Sequence, residues 1–186
     1  MNHSCVGFLE LGTIARGIEA TDAMLKKATV HLLFAHPVST GKYLIGFEGE
    51  VEEVRSALAV GREVAAPALL DFFFLPNIHP AILPSIQHPV EPNVLGALGI
   101  LETVTCASCV IALDAALKTS EISLIKIELG KGIGGKAYFI VQGEVGDVES
   151  AMAAAVRAIK KQGIIEQITI SQATPRLLQL FSYAAT

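Results

Sequence analysis

The sequence predicts an α+β protein in which one β-α-β-β-α-β domain is used twice in tandem, each copy an antiparallel sheet with its helices on one face. Three observations predict it. The chain repeats itself at an offset of 92 residues, since Gly7-Phe8-Leu9-Glu10 recurs as Gly99-Ile100-Leu101-Glu102. Within each copy, short apolar runs of strand character alternate with segments of helical period. The composition is also unusually apolar, with 52% hydrophobic and 17% charged residues, against about 45–50% and about 25% in ordinary soluble domains.

Each element has its reason. Val6–Leu11 is a short apolar run bounded by Gly12 and reads as a strand. Thr13 stands where a helix cap belongs, and Ile14, Ile18, Met24 and Leu25 give the segment 14–28 an apolar face. Val30–Ala35 and Lys42–Glu48 read as strands joined through the turn at Thr40-Gly41. Val51–Ala66 is a second helix, with Glu52 and Glu53 placed favourably at its positive end. Leu69–Leu75 is a fourth strand, and His79–Ile86 a short helix interrupted by Pro84.

The repeat carries the same order into the second half. Residues 7–32 match 99–124 at 11 of 26 positions, including Asp22, Ala23, Leu25 and Lys26. Gly41-Lys42 and Gly49-Glu50-Val51 then match Gly135-Lys136 and Gly143-Glu144-Val145 at an offset of 94. The second copy therefore has a longer loop between its second and third strands. Leu69-Leu70-Asp71 aligns with Ile164-Ile165-Glu166, and Pro80 with Pro175. The copies proper run over about 6–85 and 98–183. They define a first domain at 1–88, a linker at 89–97 and a second domain at 98–186, with the proline-bearing stretch from His88 to Asn93 at the junction.

Composition excludes several functions. Mean hydropathy is +0.53, yet charged residues interrupt every apolar run before the roughly 18 residues a membrane helix needs. Met1–Cys5 lacks the basic start and apolar core of a signal peptide. The surplus apolar surface therefore points to association with other protein. A net charge of −4, with neither a basic stripe nor interleaved aromatics, argues against nucleic acid. Three cysteines suit a reducing compartment.

At this point the residues resemble a known family. Gly-Phe-Leu-Glu, Asp22-Ala23-Met24-Leu25-Lys26, Gly41-Lys42 and Gly49-Glu50-Val51 are similar to the bacterial microcompartment shell (BMC) domain. The second copy repeats them with Asp114-Ala115-Ala116-Leu117-Lys118 and Gly143-Glu144-Val145. The resemblance covers nearly the whole chain, twice, in unpermuted strand order, as in the tandem-domain, trimer-forming shell proteins. It implies ferredoxin-like domains assembled as a homotrimer that mimics a hexagon. Such trimers tile with other shell proteins around an organelle in the bacterial cytoplasm and leave a central pore for small metabolites.

The resemblance also assigns positions. The turn between the second and third strands lines the pore, which implicates Pro37, Val38, Ser39, Thr40 and Gly41. In the second copy it implicates Lys131, Gly132 and Ile133. Small residues suit a crowded axis, and an inward Lys131 biases the opening towards anions. Lys26 and Lys118 match the lysine along the edge between hexagons, where a long stem lies flat and the ammonium meets carbonyls. Asn77, His79 and Arg176 fall near a second edge position. Some relatives hold an iron–sulfur cluster through one cysteine of the pore turn. Ser39 stands in that place and a hydroxyl is a poor substitute for thiolate, so no cofactor and no metal site are expected.

Other motifs resolve against catalysis. Gly130-Lys131-Gly132-Ile133-Gly134-Gly135-Lys136 has the spacing of a phosphate-binding loop. Ala137 replaces its Ser or Thr, however, and the following residues read as a strand with no helix N-terminus. Cys106 and Cys109 form a CxxC inside a predicted helix and read as buried small hydrophobes. Histidines 3, 31, 36, 79 and 88 show no metal-ligand spacing, though His36 lies close to the pore turn and is placed to sense pH. Glu10 and Glu102, at the same place in both copies, suggest one structural task done twice, such as capping a helix. No nucleophile–base–orienter set appears, so an enzyme is not expected. The reading is a shell subunit; the alternative is a soluble trimeric metabolite sensor, which would form trimers but not sheets.

Overall fold

The structure, a computed structural model, describes residues 5–87, 96–174 and 176–177. His3, His88, Pro175, the junction from His88 to Asn93 and residues 178–183 lie outside the described residues. The chain forms two compact units. The first contains residues up to Ile78 together with Gly130–Gly135, and the second contains His79–Leu129 and the residues from Lys136 onward.

In the first unit the order is β1 (Cys5–Leu11), α1 (Ile14–Lys27), β2 (His31–Pro37), β3 (Tyr43–Gly49), α2 (Val51–Ala65) and β4 (Leu69–Leu75). The sheet runs β2-β3-β1-β4 with antiparallel neighbours throughout. The second unit begins with α3 (Ile82–Gln87). It repeats the pattern as β5 (Ala97–Thr103), α4 (Cys106–Thr119), β6 (Ser123–Leu129), β7 (Ala137–Gly143), α5 (Val145–Ala158) and β8 (Ile164–Ile170), with order β6-β7-β5-β8. Even the irregularities recur, between Glu10 and Leu11 and again between Glu102 and Thr103. Bulges are inherited with a fold because they set strand twist.

The central strands are covered on both sides, and all seven residues of β1 are buried. Leu9 and Leu11 alternate with Phe8 across the pleat. On the helix side, Leu9, Leu11, Ile45 and Phe47 pack with Ala20, Met24, Val54 and Ala57. On the other side, Phe8 stacks on Phe73 at 5.1 Å between ring centroids and meets Phe34 edge-on at 6.0 Å. In the second unit Leu98, Ile125 and Ile140 form a cluster with Ala173.

Four details differ from the sequence reading. Thr13 occupies the cap position of α1 without a side-chain bond, whereas its repeat Thr105 accepts the Ser108 amide at 3.2 Å. The face that α1 turns inward is Gly17, Ala20 and Met24, while Ile14, Ile18 and Leu25 are exposed. Small residues let the helix approach the sheet closely, so the bulky ones remain outside. Pro84 does not interrupt α3. It is the third residue of a helix starting at Ile82, where the missing N–H has no intrahelical acceptor to lose. Finally, α3 belongs to the second compact unit. No helix among the described residues is long and apolar enough to cross a membrane.

Candidate functional site

The turn after β2 is built under backbone constraint. Pro37 ends the strand, Val38 donates its amide to the Lys42 carbonyl at 2.9 Å, and Ser39–Gly41 close a single 3-10 turn. Thr40 has φ 63° and Gly41 φ 77°. Left-handed backbone is costly for a β-branched residue, so neighbours must hold Thr40 there. Its hydroxyl donates to the Ser39 carbonyl at 2.6 Å.

Residues Gly130–Gly135 supply those neighbours within the same compact unit. Gly130, Gly132, Gly134 and Gly135 all have φ between 67° and 73°, a path open to glycine and to few other residues. Ser39 N–H donates to the Gly130 carbonyl at 3.1 Å, and Gly132 N–H donates to Ser39 Oγ at 2.7 Å. Lys42 Nζ reaches the Gly135 carbonyl at 2.6 Å. A Cβ on Gly135 would stand 2.7 Å from Thr40 Oγ1 and 3.1 Å from Lys42 Cε. Ser39 of the first expected pore turn and Gly132 of the second are thus brought together in one hydrogen-bonded cluster.

Behind the cluster lies a buried ion pair. Glu10 is fully buried and accepts from Lys42 Nζ at 2.8 Å, so one ammonium serves a carboxylate of β1 and a carbonyl of the loop. Glu10, read from the sequence as a structural residue repeated in both copies, thus pairs with Lys42, the residue just before β3. In the second copy Lys136 meets Glu102 at 3.1 Å, but both side chains are open to solvent. The signal in the sequence was that an acid and a base recur together in both copies.

Lys131 and Gly132 are exposed and Ile133 half-buried. His36 lies with its ring centroid 5.5 Å from that of Phe34. Partial desolvation, and secondarily the positive charge of Lys131, lower its pKa below the ordinary histidine value. The described residues include no group of three or more His, Cys, Asp or Glu side chains arranged to hold a metal. Cys5, Cys106 and Cys109 are free and buried, and burial raises the Cys5 pKa against the opposing pull of Arg55.

The expected edge residues divide. Lys26 is exposed at the end of α1 and pairs with Asp22 at 2.5 Å. In the second unit, Asp114 binds both the Lys118 ammonium at 2.6 Å and the His79 backbone amide at 2.8 Å, which brings two of the expected positions together. Asn77 and Arg176 are exposed. Elsewhere in that unit a cleft of about 520 Å³ opens at the N-terminus of α5, lined by Gly143, Glu144, Ser171 and Thr174 among others.

The BMC domain model matches residues 5–78 and again 97–173. The bacterial microcompartment shell protein PduT of Citrobacter freundii is 41% identical over 160 residues, 86% of this chain and 87% of that protein. A crystal structure of a microcompartments protein from Desulfitobacterium hafniense DCB matches with a TM-score of 0.82 and 41% identity, covering 95% of this chain and 98% of that one. A fused permuted hexameric shell protein from the RMM microcompartment, 22% identical, shares the fold at a TM-score of 0.63 over 83% of this chain and 80% of its own.

Proposed function

Because this chain belongs to the BMC-domain family and is a structural subunit of a bacterial microcompartment shell, we propose that three copies close head to tail into a pseudo-hexagonal ring. The rings tile into the shell facet with other shell proteins, and the central opening passes small metabolites.

One observation carries this reading. Ile14, Ile18 and Leu25 on α1 are 39%, 56% and 46% exposed, whereas their repeats on α4, Cys106, Val110 and Leu117, are 0%, 1% and 8% exposed. The same helix face is covered in one copy and bare in the other. A further copy of the chain covers the bare face. A contact between unlike faces generates a ring when its rotation closes.

The turn at Pro37, Val38, Ser39, Thr40 and Gly41, with Lys131, Gly132 and Ile133, then surrounds the axis. Three Lys131 ammonium groups favour anionic solutes. Lys26 and Lys118, with Asn77, His79 and Arg176, meet neighbouring rings. The turn does not suit an iron–sulfur cluster, because it offers a hydroxyl where thiolate is preferred and that oxygen already accepts the Gly132 amide. The role is structural and not catalytic, and the site of action is the shell within the cytoplasm.

Native mass and electron microscopy of the purified chain test the proposal. Trimers that associate into hexagonal sheets are expected, and Lys26→Ala with Lys118→Ala should keep the trimers and lose the sheets. Trimers that stay dispersed at every concentration would instead mark a soluble sensor. A persistent monomer would overturn the ring.

A further inference from the structure

The lysine contact at the loop is made once, and the repeat supplies the parts to make it again. Gly41-Lys42 corresponds to Gly135-Lys136. Lys42 donates to the Gly135 carbonyl at 2.6 Å, and its Cε lies 3.1 Å from where a Cβ on Gly135 would stand. The reciprocal pair is bare. A Cβ on Gly41 would meet nothing within 4 Å, and Lys136 holds Glu102 with its own side chain 50% exposed against 15% for Lys42. Both glycines have a left-handed φ, 77° at Gly41 and 73° at Gly135, and they hold corresponding places in the repeat.

We infer that Lys136 binds the Gly41 carbonyl of the partner subunit, so that each lysine–glutamate pair fastens the glycine turn next to it around the ring. This inference rests on the ring proposed above. An ammonium has three donors. Lys42 divides them between Glu10 and Gly135, and Lys136, already on Glu102, has the same division open to it. The exposed Glu102–Lys136 pair becomes desolvated as Glu10–Lys42 is. A charge-assisted hydrogen bond in such surroundings is stronger than one in water. Lys136 thereby acts as a positioning residue that fixes the pore turn of the adjacent chain.

The test places cysteines at both ends of the contact, Gly41→Cys with Lys136→Cys in one chain, and treats the assembled protein with a short bis-maleimide. The parent protein, whose three cysteines are buried, is the control. A covalent ladder that ends at the trimer on a denaturing gel is expected. A trimeric mass in solution without any ladder overturns the lysine contact and leaves the ring standing. A monomeric mass overturns the ring and the contact with it. Should cysteine at the left-handed Gly41 position hinder folding, Lys136→Met supplies the second measurement. Its trimer should dissociate at roughly thirtyfold higher concentration than the parent, because each of the three interfaces loses one charged hydrogen bond and the midpoint varies as the square root of the trimer constant. An unchanged dissociation concentration overturns the contact.

Discussion

A Cβ on Gly17 would stand 2.4 Å from Cδ1 of Tyr43, so the phenol ring occupies the space that a side chain on α1 would take. The repeat makes the opposite choice. Cys109 stands in place of Gly17 and Ala137 in place of Tyr43, and both are completely buried. A small helix residue beside a large strand residue has been exchanged for a larger helix residue beside a small strand residue, which moves bulk from the strand to the helix. Gly17→Cys alone should lower stability by about 1–3 kcal/mol through overpacking. Combining it with Tyr43→Ala removes the contacts with the ring at 2.4 and 2.5 Å and leaves only the Tyr43 Cβ, at 2.7 Å, to be accommodated by a small shift. The double variant should then be more stable than the two single effects predict by at least about 1 kcal/mol, measured by chemical denaturation.

That exchange also shows what the sequence could and could not reveal. The strands and long helices were legible because the repeat checks each one twice. The change of offset from 92 to 94 marks the longer loop, since β2 and β6 are related by the first value and β3 and β7 by the second. Helical period alone could not say which face of α1 meets its own sheet. Ile14, Ile18 and Leu25 form one apolar stripe and Gly17, Ala20 and Met24 another, about a quarter turn away. Close packing against the sheet selected the small one. The pairing of Glu10 with Lys42 was legible only through the repeat, because Lys42 stands just before β3 and no local spacing joins the two.

Ser39 ties the two glycine-rich turns together through a single oxygen. Ser39→Ala removes the acceptor from Gly132 N–H at 2.7 Å, and the neutral bond lost is worth about 1 kcal/mol. Amide exchange at Gly132 should accelerate roughly fivefold, in keeping with that energy. Exchange within β1 should remain as it was. Equal acceleration in both places would mean that the serine supports the domain as a whole.

Glu10 and Glu102 are the same residue in two solvents. Glu10→Gln leaves the largely buried Lys42 ammonium facing a neutral amide, at a cost of about 3 kcal/mol. Glu102→Gln breaks a pair whose side chains are 36% and 50% exposed, which is worth at most about 0.5 kcal/mol once solvent screening is allowed for. Both comparisons are made on the dissociated chain at low concentration. Equal losses for the two variants would contradict the buried character of the first pair.

His36 makes stability depend on pH in a stated direction. Desolvation and then Lys131 hold its folded pKa below the ordinary value, which is about 6.5 in an unfolded chain. The unfolded state therefore binds more protons as pH falls below that value, and stability declines with it. Above about pH 6.5 this contribution levels off. His36→Asn should flatten this part of the slope, and unfolding midpoints collected across that window check it. Lys131→Met should remove a smaller share of the slope, because desolvation is the larger cause.

The bare stripe on α1 separates folding from assembly. Ile18 is 56% exposed and Leu25 46% exposed in the chain, so Ile18→Asp with Leu25→Asp removes little that the isolated fold uses. Surface changes of this kind alter stability by about 0.5 kcal/mol each. In the proposed ring the same side chains would be covered, and each fully buried leucine or isoleucine contributes about 1.5–3 kcal/mol. The double variant should therefore unfold near the parent's midpoint as a monomer and fail to form trimers at any concentration reached by light scattering. Val110→Asp makes the complementary case. Val110, the repeat of Ile18, is 1% exposed, and a carboxylate there costs the fold itself several kcal/mol. If Ile18→Asp and Val110→Asp damaged folding equally, the two helix faces would be in the same environment and the head-to-tail ring would lose its physical basis.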